Sequence, residues 1–141
     1  MSARLSLKYM YIKFALRSLM TVIAFVALSA QADIYVIAHP GMLVAADGVK
    51  DVFTGNKQFI GSTKLQPVDN GPAQDEFLSR ALGMDASRYN TLWTKKSFRD
   101  GLIPPPVKSG NTEVLEFVRK TQGAIGYITI PPSGVDLIRK Y

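Results

Sequence analysis

The residues Ile34-Tyr35-Val36-Ile37-Ala38 form a nearly continuous apolar run, rich in β-branched side chains and stopped by His39-Pro40-Gly41. Such a run reads as a strand buried on both faces, because a strand with one wet face alternates apolar with polar residues. A strand buried on both faces needs a covering layer on each side. Downstream, short apolar runs alternate with segments of helical period. The expectation is therefore an α/β domain, with a parallel or mixed sheet and helices on its faces.

The remaining elements follow from local signals. Asp47 is placed to cap a short helix in which Val49, Val52 and Phe53 share a face and Gly55 marks the stop. Asn56 to Thr63 reads as a turn region and Leu65 to Val68 as a second strand. Pro72 suits the first position of a helix, Asp75 and Glu76 suit its first turn, and Phe77, Leu78, Ala81 and Leu82 form one face before Gly83. Asp85 or Ser87 caps the next helix, which carries Tyr89, Leu92 and Trp93. Pro104-Pro105-Pro106 imposes an extended connection. Ser109 or Asn111 caps a further helix with Val114, Val118 and Thr121 on one stripe and Glu113, Glu116, Arg119 and Lys120 toward water. Ala124 to Ile128 is a third strand, in which Gly126 implies close backbone packing. Val135 to Ile138 is a candidate fourth. Trp93, Phe98 and Tyr127 are expected in the core, since small domains bury their large aromatics.

The charge is unevenly placed. Of 17 Lys+Arg and 11 Asp+Glu in 141 residues, four basic and no acidic residues lie in the first 32. The remaining 109 positions hold 13 basic and 11 acidic residues, a net of +2. The apparent basicity is thus mostly an N-terminal property, and a nucleic-acid partner is not expected. The N-terminal segment has a basic part ending at Arg17, an apolar run from Leu19 to Leu28, and Ala30-Gln31-Ala32, the small-x-small pattern of a signal peptidase site. Residues 1–32 are therefore expected to be a signal peptide cleaved before Asp33, leaving a single domain over 33–141 in the periplasm or outside the cell. The apolar run of about ten residues is too short to span a hydrocarbon core, which takes roughly 20. No stable membrane span is expected after cleavage.

Composition also narrows the chemistry. There is no cysteine, hence no disulfide, thiolate metal site or cysteine nucleophile, and one histidine, His39, leaves no multi-histidine zinc site. No Ser–His–Asp frame or phosphate-cradling glycine loop is present, and the neighbouring acids Asp75 and Glu76 point to different helix faces. The expectation is a protein that is not an enzyme and holds no metal or cofactor. His39, just past a buried strand, reads as structural.

Four segments carry a resemblance. Val52-Phe53-Thr54-Gly55-Asn56-Lys57, Leu65-Gln66-Pro67-Val68 with the helix containing Phe77, Trp93 followed by Phe98 and Gly101, and Val118 to Gly123 running into Ala124-Ile125-Gly126-Tyr127 occur in the order found in one family. Over residues 34–130 the chain resembles the substrate-binding proteins of phosphate ABC transporters, of the periplasmic-binding-protein class. The resemblance implies a type 2 lobe of that fold and phosphate or another oxyanion as ligand; a membrane transporter or sensor is the partner expected if the domain instead binds no ligand. Proteins of that class close two lobes over the ligand, and this chain is long enough for one. The family's Arg followed by Ser-Gly-Thr is also absent, replaced by Pro67-Val68-Asp69-Asn70-Gly71-Pro72-Ala73.

The loop after that strand still occupies the usual ligand position of α/β sheets. Asn70 and Gly71 are the candidate ligand residues there, through backbone N–H groups and the Asn70 amide; the plainer reading is a turn before a proline-started helix. Lys95 and Arg99, with Lys96, form the densest basic group and are candidates for an anionic ligand or an acidic partner surface; a solvated face is the plainer reading. Ser109, Asn111 and Thr112 are either ligand hydroxyls and amides or N-caps. Two functions stay open: a solute-binding domain taking phosphate or another oxyanion weakly, and an interaction module that binds no ligand and contacts a partner in the envelope.

Overall fold

The computed structural model describes residues 31–141, and all but the last two residues of the expected signal peptide (1–32) lie outside the described residues. Ala32–Tyr141 form one unit. Its centre is a four-stranded mixed sheet in the order β4-β7-β1-β8: β1 is Tyr35–Ala38, β4 Gln66–Pro67, β7 Ala124–Ile128 and β8 Asp136–Lys140. β7 pairs parallel with β4 and antiparallel with β1, and β1 pairs antiparallel with β8 through a register shift between Val36 and Ile37. All five residues of β7 are buried, as are Val36, Ile37 and Ala38 of β1. The doubly buried strand and the mixed α/β class expected from sequence are both present.

The two faces of the sheet carry different layers. On one, Ile125 and Tyr127 pack with Phe53 of α1 (Val49–Phe53), with Phe77 and with Trp93 of α3 (Ala86–Asp100). Phe77 stacks on Tyr127 with ring centroids 3.8 Å apart, and Phe53 meets Phe77 edge-on at 4.8 Å. On the other face, Ala124 and Ile128 pack with Val114 and Val118 of α4 (Asn111–Lys120). Gly126 points to that face. A Cβ there would lie 2.7 Å from Val114 Cγ1 and 3.1 Å from Val68 Cγ2, so the close approach of α4 requires glycine. Trp93 is 6% exposed and its indole N–H donates to the Phe53 carbonyl, locking α3 to the end of α1.

Several local expectations change. The region 56–63 is not only turn: β2 (Phe59–Ile60) and β3 (Thr63–Lys64) form a hairpin. The expected strand Leu65 to Val68 shrinks to β4 and is followed by β5 (Asp69–Asn70), which pairs parallel with β6 (Val107–Lys108) just after the prolines. The segment from Gly71 to Leu82 winds as a 3-10 turn, then α2 (Gln74–Phe77), then a π turn (Leu78–Leu82). Asp47 makes no cap; it sits inside a 3-10 turn, Ala46–Gly48, that leads into α1. Asp85 does cap α3, accepting from Arg88 N–H at 2.8 Å. Neither Ser109 nor Asn111 caps α4, whose N-cap is Gly110. Phe98 is 96% exposed and not in the core. It follows Trp93 by five residues, which at 3.6 per turn places it about 140° around the helix, away from the buried face.

Candidate functional site

β5 is two residues long and both side chains are buried. Asp69 continues the chain from Val68 into the interior, and its backbone N–H donates to the Pro106 carbonyl at 2.8 Å. Its carboxylate is met by two tyrosines: Tyr127 donates to Oδ1 at 2.9 Å and Tyr89 to Oδ2 at 3.0 Å. Burial pushes the Asp69 carboxyl up to about 6, against the opposing pull of the two hydroxyls. The same burial, reinforced by the carboxylate beside them, holds both tyrosine hydroxyls protonated far above their ordinary range.

Asn70 faces the other way and ties three elements together. Its Nδ2 donates to Asn111 Oδ1 at 2.9 Å and to the Tyr127 carbonyl at 3.1 Å. Asn111 in turn accepts from Thr129 N–H and donates to Thr129 Oγ1. Among the buried side-chain polar atoms of the described residues, Asn70 Oδ1 alone lacks a partner. Ser109 donates its N–H and hydroxyl to Glu113, both at 2.7 Å, and these bonds hold the Glu113 carboxyl below its usual range. The polar residues around the start of α4 are thus occupied by the protein itself. Thr112 is exposed.

Above Asp69 lies an open groove of about 730 Å³. Asp69, Tyr89, Trp93 and Pro105 are its buried lining, Asn90, Thr94, Ser97 and Phe98 line it from α3, and Gln74, Pro104 and Val107 complete it. Its lining contains one carboxylate and no basic side chain. At neutral pH the groove therefore presents negative charge from within, together with amide and hydroxyl groups, aromatic edges and proline rings.

The sequence candidates fall in separate places. Asn70 is buried in the network just described, and Gly71 is exposed beside Lys108 and Val107. Lys95 and Arg99 line a smaller groove of about 430 Å³ on another flank of α3, with Arg88, Leu92 and Lys96. The structure does not bring the two pairs together. Arg99 pairs with its neighbour Asp100 at 3.0 Å, and Lys96 reaches Asn56. His39 Nδ1 lies 2.9 Å from the Val118 carbonyl, and since a carbonyl only accepts, that nitrogen carries the proton in a structural bond. The Asp69–Tyr89–Tyr127 constellation was not singled out from sequence. The available signal was a carboxylate directly following an apolar strand, and two tyrosines on buried stripes whose hydroxyls each need a partner.

The fold places the chain among known structures. It is similar to a protein from Clostridium perfringens assigned as a phosphate ABC transporter substrate-binding protein and crystallised with bound phosphate. The two share 17% identity and a TM-score of 0.58 over 77% of this chain. The match covers 45% of that protein, so this chain spans less than half its length. The shared fold is a mixed sheet flanked by helices, as in the matched part of that protein. No family model matches the sequence, and no curated protein does.

Proposed function

We propose that this chain is an exported solute-binding-protein-like domain related to the substrate-binding proteins of phosphate transporters. In this reading it works by contacting a protein partner in the envelope, and binds phosphate or another oxyanion no tighter than the millimolar range. The fold supports a solute-binding-like domain. The observation that carries the finer reading is the Asp69 carboxylate, buried at the groove floor where oxyanion capture calls for a cation. An oxyanion entering that groove meets a like charge and no cation. Export rests on the Ala30-Gln31-Ala32 pattern, and a membrane transporter or sensor is the partner this reading expects.

The test is a thermal melt with phosphate titrated at constant ionic strength. Saturation by a hundredfold excess over Kd stabilises by about 2.7 kcal/mol, several degrees for a domain of roughly 100 residues. No shift is expected below millimolar phosphate. A saturating shift at micromolar phosphate overturns the reading.

A further inference from the structure

One helix joins an exposed phenylalanine at the groove to the densest cluster of positive charge. On α3, Arg88, Leu92, Lys95 and Arg99 recur at spacings of three and four residues and so line one stripe. Arg88 and Lys95 are exposed and form no ion pair among the described residues. α3 holds four basic residues and one acidic residue, Asp100, which Arg99 already engages. Three residues on from Lys95 stands Phe98, 96% exposed, which lines the 730 Å³ groove together with Pro105 and the 61%-exposed Val107. A fully exposed phenylalanine costs solubility and adds nothing to the core.

We propose that this face is the docking surface for an acidic protein segment, which seats an apolar side chain in the groove beside Phe98 and sets carboxylates against Arg88, Lys95 and Arg99. The inference rests on the contact reading above and names its partner's chemistry. The arrangement has an apolar, aromatic centre and a charged rim, as protein interfaces do. Concavity selects a protein over a membrane. An interfacial helix offers lipid a broad convex apolar face, whereas the outward side of α3 shows one phenylalanine between Thr91, Thr94 and Lys95. Charge selects acidic segments and steers their approach.

The experiment is selection of a random displayed peptide library on the purified protein, followed by affinity measurement of the recovered peptides. Peptides with clustered Asp and Glu flanking an apolar residue are expected. Their affinity should fall at least tenfold in Phe98→Ser and again in Arg88→Glu/Lys95→Glu, all exposed positions at which an unchanged melting curve verifies folding. Binding should also weaken as salt rises from about 50 to 300 mM, as screening requires. Peptides without acidic residues, or peptides that bind the variants equally well, overturn the surface while leaving the contact reading standing. No recovered peptide overturns it too, as does variant-sensitive self-association or variant-sensitive binding to phosphatidylglycerol vesicles. A micromolar phosphate shift in the melt is the separate result that removes the contact reading itself.

Discussion

The Tyr127 hydroxyl donates to Asp69 Oδ1 across 2.9 Å inside the protein, while the ring of the same tyrosine stacks on Phe77 at 3.8 Å. One side chain therefore fixes the central strand β7 both to the apolar layer and to the buried carboxylate. Tyr127→Phe keeps the stack and removes the donor. The expected cost is about 1–3 kcal/mol, the penalty for leaving a buried acceptor short of a partner, read as a lower denaturation midpoint with an unchanged slope.

Asp69 makes stability depend on pH in an unusual direction for a carboxylate. Its folded-state value is raised from 3.8 to about 6, so the folded protein holds the proton more tightly than the unfolded chain. This group's contribution is fully present below about pH 4 and is lost as pH rises through 6, by roughly 2–3 kcal/mol at about 1.4 kcal/mol per unit. Asp33, Asp100 and Glu113 are exposed and shifted the other way, so they oppose the trend in any raw curve. Asp69→Asn shares those groups. The stability of wild type minus that of Asp69→Asn should fall by the stated amount between pH 4 and pH 7.5; parallel curves contradict the assignment.

Gly126→Ala should cost about 1–3 kcal/mol through overpacking, because its new methyl meets Val114 and Val68 at 2.7 and 3.1 Å. Val114→Ala makes room for it. The double variant should then be less destabilised than the sum of the two single changes, measured by a double-mutant cycle.

Trp93→Ala should cost about 3–5 kcal/mol, a large share of the 5–15 kcal/mol typical of a domain. The single tryptophan is 6% exposed, so native emission should be blue-shifted. A solvent-like spectrum contradicts the packing described.

The sequence disclosed the parts of the fold that repeat a pattern. The β-branched run at 34–38, the apolar run at 124–128 and the stripe Val114–Val118 state their layers directly, and Gly126 announced the approach of α4. The β5–β6 pair did not appear, because two-residue strands have no periodicity and their partners lie 38 positions apart in register. The Asp69 site was hidden for the same reason: its two tyrosines come from 20 and 58 residues away. Phe98 was legible in principle, since five residues from Trp93 is the wrong interval for a shared helix face. Asn70 and Gly71 did lie at the strand-to-helix turn where α/β ligands bind, but the Asn70 amide donates into the protein.

The most direct measurement is equilibrium dialysis of the purified protein against radiolabelled phosphate at about 10 μM and pH 7. With a dissociation constant of 1 mM or weaker, about −4 kcal/mol or less, occupancy should stay near 1% or below. Retention of close to one phosphate per chain at that concentration contradicts the account, because it requires a cationic, closed oxyanion site that the groove above Asp69 does not contain.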